Sequence, residues 1–189
     1  MNINIKCLSP DAQIPTYAHA TDAGFDLVAA ADVIIEPGAT ACVPTGLAFE
    51  IPKGYEMQIR PRSGITLKKP LRVQLGTVDC GYTGEVGVIV DNIAQKIGEE
   101  GTRYLFVDGG CENTEKAEFF DFSIDDYRYG SVFVPDSTYK IRKGDRLAQA
   151  VIKPVEQAVF TEGDALGDSD RGAGGYGSSG TSIYKEQRM

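Results

Sequence analysis

The chain has 189 residues, 42% apolar and 24% charged, proportions that suit one soluble domain with its own hydrophobic core. Its net charge of −8 argues against a protein that coats DNA or RNA through the phosphates, although a few placed arginines suffice to bind a single nucleotide. No apolar run approaches the roughly 20 residues that span a bilayer, and the opening MNINIKCLSPDAQIP lacks the basic start and apolar stretch of a secretory signal; a cytoplasmic protein with no membrane partner is expected. Four scattered cysteines (Cys7, Cys42, Cys80, Cys111) and a single histidine, His19, supply neither the paired ligands of a structural zinc site nor a histidine relay.

Taken in chain order, β-rich runs at 3–8, 33–35, 40–44, 47–51, 55–60, 73–75, 86–90, 139–141 and 148–154 recur between turn signals such as EPG at 36–38, PKG at 52–54 and RKG at 142–144. That spacing predicts an all-β sandwich or barrel. One short helix fits 63–67, and no 3.6-residue period is sustained elsewhere. Two segments depart from this body. Residues 93–137 hold ten acidic against four basic side chains, a net −6, and eight of the seventeen Phe and Tyr residues. Disordered segments are poor in aromatics, so this one is expected to fold or to bind something. From about 161 to 189 the chain is a flexible arm centred on RGAGGYGSSGT, which leaves 1–160 as the β domain.

Five short stretches carry candidate chemistry. In the arm, Arg171, Gly172, Gly174, Gly175, Tyr176, Gly177, Ser178 and Ser179 combine a fixed cation, bare amides, hydroxyls and one aromatic face, the parts needed to wrap phosphates and stack on a base. No GKS or GKT follows the glycines, so this is not a Walker A loop. Arg60-Pro61-Arg62-Ser63-Gly64 places a serine and a glycine at a strand-to-helix turn, where a hydroxyl and unhindered N–H groups face an anion. The stretch GTVDCGYTGEVG at 76–87 reads as a β-hairpin with Asp79 at its bend and Tyr82 three residues on. Asp26, in DAGFDL, and Gln149, in KGDRLAQ, close the set. Each piece alone also has a plain reading: a disordered linker for the arm, a simple turn with solvated arginines for 60–64, a plain hairpin with Asp79 as a turn residue for 76–87, a loop-holding acid for Asp26 and an ordinary strand residue for Gln149.

In this order the five stretches, AGFDL at 23–27, PRSG at 61–64, GTVDCGYTGEVG at 76–87, GDRLAQ at 144–149 and RGAGGYGSSG at 171–180, resemble the five motifs of the trimeric dUTPase family. The resemblance implies a jelly-roll-like β-sandwich assembled as a homotrimer, with each active site drawing on three subunits. It implies hydrolysis of dUTP to dUMP and pyrophosphate, with Mg²⁺ carried on the triphosphate and Asp26 meeting it through water if at all. Carried over to this chain, Asp79 activates the attacking water. Arg62, Ser63, Gly64 and Gln149 hold the inner phosphates, with Gln149 also near that water. Gly76, Thr77, Val78 and Gly87 present backbone to uracil, while Tyr82 packs under the deoxyribose. Arg171, Ser178 and Ser179 close on the outer phosphates, with Gly177 in the wrapping loop and Tyr176 stacked on the base.

Some positions depart from the family pattern. Val73 stands where many members have Asn, Tyr176 replaces the commoner Phe, and Thr83 replaces a frequent Arg. Residues 93–137 replace a short turn and resemble inserts of some bacteriophage dUTPases. They are expected to form an appended module that offers its aromatics to a regulatory protein and whose removal spares hydrolysis. Two other functions share parts of this pattern. dCTP deaminases have the glycine-rich tail but use a glutamate base and an R-S-S segment, whereas this chain has PRSG and Asp79. A regulatory protein that only senses dUTP is the alternative from outside the enzymes.

Overall fold

The computed structural model describes residues 1–96, 100–121 and 126–175. The chain divides into two compact units, Met1–Glu156 and Gln157–Met189. The first is built almost wholly of strands: β1 (Asn4–Cys7), β2 (Phe25–Val28), β3 (Val33–Ile35), β4 (Thr40–Pro44), β5 (Leu47–Glu50) and β6 (Tyr55–Pro61). The single helix among the described residues, α1 (Ser63–Lys68), precedes β7 (Leu71–Val73), β8 (Gly76–Asp79) and β9 (Gly87–Asn92). After the 93–137 segment come β16 (Tyr139–Ile141) and β17 (Arg146–Pro154).

Two sheets position the site. One has the order β2-β17-β6-β8 and the other β4-β9-β7. Period-2 alternation fixes which side of each strand is inward. Strand β2 buries Phe25 and Leu27, and β9 buries Val88 and Val90. Leu27, Met57, Ala148 and Ala150 from the first sheet and Val43, Val88, Val90 and Leu71 from the second share one core cluster. Each fully buried Leu, Met or Val among them contributes about 1.5–3 kcal/mol by leaving water.

Strands at 33–35, 40–44 and 139–141 match the sequence expectation residue for residue, while β7 lies two residues earlier than expected because Leu71 and Val73 are buried and Leu75 is 77% exposed. The expected hairpin at 76–87 is not a hairpin. Strand β8 pairs with β6, and β9 pairs with β4 on one edge and β7 on the other, so β9 has no edge left for β8. The connection between them instead crosses from one sheet to the other.

The 93–137 segment is itself β-structured: β10 (Glu100–Gly101), β11 (Arg103–Leu105), β12 (Cys111–Asn113), β13 (Lys116–Asp121), β14 (Asp126–Ser131) and β15 (Val134–Pro135). Strands β13 and β14 pair with each other alone. Strand β11 does not stand apart: it pairs in parallel with β16 through Leu105 and Tyr139, in a sheet of order β12-β11-β16-β3. Leu105 and Val107 pack on the main core. The segment is therefore an appended hairpin joined to a part that is woven into the body. Its two ends are held together by the buried Asn92, whose amide donates to the carbonyls of Ile35 (3.0 Å) and Ser137 (2.9 Å) and accepts from the Ala94 N–H.

Leu27 is 0% exposed and sits in the strand that carries Asp26. Leu27→Ala is expected to lower unfolding free energy by about 2–5 kcal/mol, read from denaturant midpoints at one fixed protein concentration.

Candidate functional site

The first strand of the site is β6, which runs through Arg60 to Pro61 and ends as Arg62 takes an extended backbone (φ −86°, ψ 127°) at the N-cap of α1. Buried Ile65 pins this helix to the core, leaving Ser63 and Gly64 on its outer first turn. The initial N–H groups of a helix have no intrahelical acceptor, so they are available to an anion. Beside β6 lies β17. A bulge between Arg146 and Ala148 breaks its alternation, so that Arg146 and Gln149 are both exposed while Leu147, Ala148 and Ala150 are buried.

Arg62, Ser63, Gly64, Gly144, Arg146 and Gln149 line one cleft of about 630 Å³. Asp26 organises its arginines. One carboxylate oxygen lies 3.2 Å from Arg62 Nε and the other 3.7 Å from an Arg146 guanidinium nitrogen, and Arg62 also donates to the Arg146 carbonyl at 3.1 Å. The first contact has ion-pair distance without hydrogen-bond alignment, so Asp26 Oδ1 is buried with no hydrogen-bond donor of its own. Asp26, Gln149 and Arg60 are cross-strand neighbours on β2, β17 and β6, which puts an acid, an amide and a base in one row.

Asp79 and Tyr82 do not line this cleft. Asp79 ends β8 with its side chain exposed, opposite Glu56 of β6, whereas Gln149 lies opposite Arg60. Four residues along a strand and two strand spacings across place Asp79 about 13 Å along and about 10 Å across the sheet from Gln149. The chain turns after Asp79, with the Tyr82 N–H donating to the Asp79 carbonyl at 3.0 Å. The Tyr82 hydroxyl donates to the Glu85 carbonyl at 2.9 Å and lies where a Cβ on Gly84 would stand, 2.6 Å from it. Gly87 is equally confined, since a Cβ there would meet Cys42 Sγ at 2.3 Å. Gly76, Thr77 and Val78 lie on β8, an edge strand with one backbone side unpaired.

In the second unit, Arg171 stands in a turn: its Nε donates to the Gly174 carbonyl at 2.8 Å, and the Gly172 N–H reaches Ser169 Oγ at 3.0 Å. Tyr176, Gly177, Ser178 and Ser179 lie outside the described residues.

The sequence reading did not assign Arg146, Asp145, Lys68, Lys69, Val107 or Asp108, all of which line the cleft. Arg146 and Asp145 were within a quoted motif and could have been found there. Val107 and Asp108 arrive from the 93–137 segment, where sequence spacing carries no signal.

An all-β body that gathers two arginines, a serine, a glycine-bearing helix start and a glutamine around one open cleft has the makings of a site for a phosphate-bearing ligand. A family profile described as dUTPase matches residues 10–99. A deoxyuridine 5'-triphosphate nucleotidohydrolase of Thermobifida fusca is 39% identical over 182 residues, spanning 95% of this chain and 79% of that protein. A variant of the Staphylococcus bacteriophage 80alpha dUTPase, solved with dUpNHpp, superimposes with a TM-score of 0.82 at 29% identity, covering 95% of this chain and 99% of the other. A variant dUTPase from phage phi11 of S. aureus, whose structure details the coordination of a structural Mg(II) ion, gives 0.74 at 29% identity over 88% and 99% of the two chains. The chain belongs to the dUTPase family.

A Cβ on Gly64 would meet nothing within 4 Å, so the protein itself has room for alanine there. Gly64→Ala is expected to leave the melting temperature unchanged or slightly raised while raising KM for dUTP by about tenfold, because only a ligand close to the backbone would meet the added methyl. Calorimetry and steady-state kinetics on the same preparation check both halves.

Proposed function

We propose that this protein hydrolyses dUTP to dUMP and pyrophosphate in active sites shared between the subunits of a homotrimer. The separation of Asp79 from Gln149 within one protomer carries this reading. A single water cannot touch both at hydrogen-bond reach, about 2.6–3.2 Å, so the two meet at one substrate only if Asp79 comes from another copy.

In the mechanism that follows, Asp79 accepts a proton from a water held beside Gln149. The oxygen forms its bond to the α-phosphorus as the bond from that phosphorus to the bridging oxygen breaks, releasing pyrophosphate. A positioned base of this kind supplies about 10²–10⁴ in rate. Arg62, Ser63 and Gly64 hold the α and β phosphates in line, and Arg171, Ser178 and Ser179 close on the outer ones from the arm. The unpaired edge of β8 at Gly76 and Val78 suits backbone recognition of uracil, while Tyr82 offers a flat face to the sugar and Tyr176 one to the base. The 93–137 segment, aromatic and of net charge −6, suits a basic regulatory protein.

Magnesium fits this site in one way. Among the described residues no three metal-ligating side chains cluster together, and the Asp26 carboxylate is engaged by two arginines. The donor set therefore suits an ion that stays on the triphosphate oxygens and keeps its waters, with at most a water-mediated contact to Asp26. Such an ion would neutralise phosphate charge and polarise the reacting phosphoryl group.

Asp79→Asn is expected to lower kcat at least about 10²-fold with dUTP affinity within about tenfold. Mixed with an Arg62→Ala variant, itself inactive, it should regain turnover after subunit exchange, since some sites then pair an intact Asp79 with an intact Arg62. Turnover of dUTP by Asp79→Asn at the wild-type rate, or a mixture that stays inactive after verified exchange, would refute the mechanism and the sharing of sites respectively.

A further inference from the structure

Four cationic side chains line the cleft, and they are not equivalent. Arg62 and Arg146 are engaged by Asp26. Lys68 and Lys69, at the far end of α1, have no carboxylate within ion-pair distance among the described residues. A helix of six residues spans about 9 Å, so these lysines extend the cleft from Ser63 toward its outer end.

The wall facing them comes from the inserted segment. Residues 106–110 form a tight turn in which the Phe106 N–H donates to the Gly110 carbonyl (2.9 Å) and the Gly109 N–H to the Phe106 carbonyl (3.1 Å). Gly109 has φ +100°, which favours glycine, and a Cβ there would lie 3.4 Å from Lys69 Nζ. The turn is latched to the body by Arg142, which stacks 4.0 Å over the Phe106 ring and donates to Asp108 at 2.8 Å and to Asp145 at 3.3 Å. The Gly110 N–H, then Arg142 and, last, the Lys69 charge hold the Asp108 carboxyl below its usual range. Asp108 takes its hydrogen bonds from the Gly110 N–H and Arg142 and feels Lys69 only through space, so among the described residues the ammonium beside the glycine turn keeps its donors for an incoming anion.

We propose that Lys69, braced by the 106–110 turn of the inserted segment, is a further contact for the terminal phosphate of dUTP. The inference rests on the reading of the cleft as the triphosphate site. It also revises the expectation for the insert: the β13–β14 hairpin is appended, but the 106–110 turn is part of the substrate site. One charge-assisted contact at a solvent-accessible place is worth about tenfold in affinity.

The test uses the full-length protein with Mg²⁺. Lys69→Met is expected to raise KM for dUTP about tenfold, with kcat within about threefold and an unchanged melting temperature. Competitive inhibition by dUMP, which lacks the outer phosphates, should be unaffected, and Lys69→Arg should restore most of the loss. A KM within twofold of wild type would overturn the proposal, as would an equal weakening of dUMP and dUTP, which would mark a structural effect. These outcomes are read against a wild-type protein that turns over dUTP; absence of that turnover would remove the functional reading and this inference together.

Discussion

Strand β17 pairs along its length with β6 and, near its start, with β2, so it is the common support of three motifs distant in sequence. Its ladder brings Asp26, Gln149 and Arg60 into one row and fixes how far apart they stand. The bulge at its start then turns Arg146 to the same open side as Gln149. Without the bulge, strict alternation would send one of the two into the core, where a guanidinium or amide would be costly. The cleft therefore depends on a single irregularity in an otherwise regular ladder.

Asp26 illustrates how charge is distributed around that ladder. Two guanidinium groups share one partly buried carboxylate, which orients them while leaving them with a net positive charge to offer a phosphate. An apolar residue at this place would free the arginines to disperse into solvent, and ordering them would then fall to the substrate.

Much of this was legible in the sequence because it is local. The runs at 33–35, 40–44 and 139–141 are short and rich in β-branched or aromatic residues, with turn signals nearby, and the strand-to-helix turn at Arg62, Ser63 and Gly64 is encoded by adjacent residues. Failures came where partners are distant. Glycines and apolar residues on either side of Asp79 look like a hairpin, and only the occupation of both edges of β9 shows that they are not. The four residues of β2 were missed because a strand so short, with its acid facing out, shows too little alternation. Lys69 and Asp108 are 39 positions apart, and their approach depends on β11 pairing with β16. Asn92 explains why so long a segment is tolerated at that point. By tying the carbonyls of Ile35 and Ser137 to the end of β9 it closes the neck of the segment, and added length beyond a closed neck costs little entropy.

The turn after Asp79 has a thermodynamic consequence of its own. The Tyr82 ring is fixed before any ligand arrives, by its hydroxyl on the Glu85 carbonyl and by the space that Gly84 leaves beneath it. Under the proposed placement of the deoxyribose on Tyr82, a ring already held in place would lose no rotamer freedom on binding, a saving of about 0.5–1.5 kcal/mol for a side chain that would otherwise need ordering. The conformational cost is then met during folding, so under that placement affinity at this face would follow shape and desolvation, and a bulkier residue at Gly84 would turn a rigid receptor into an adaptable one.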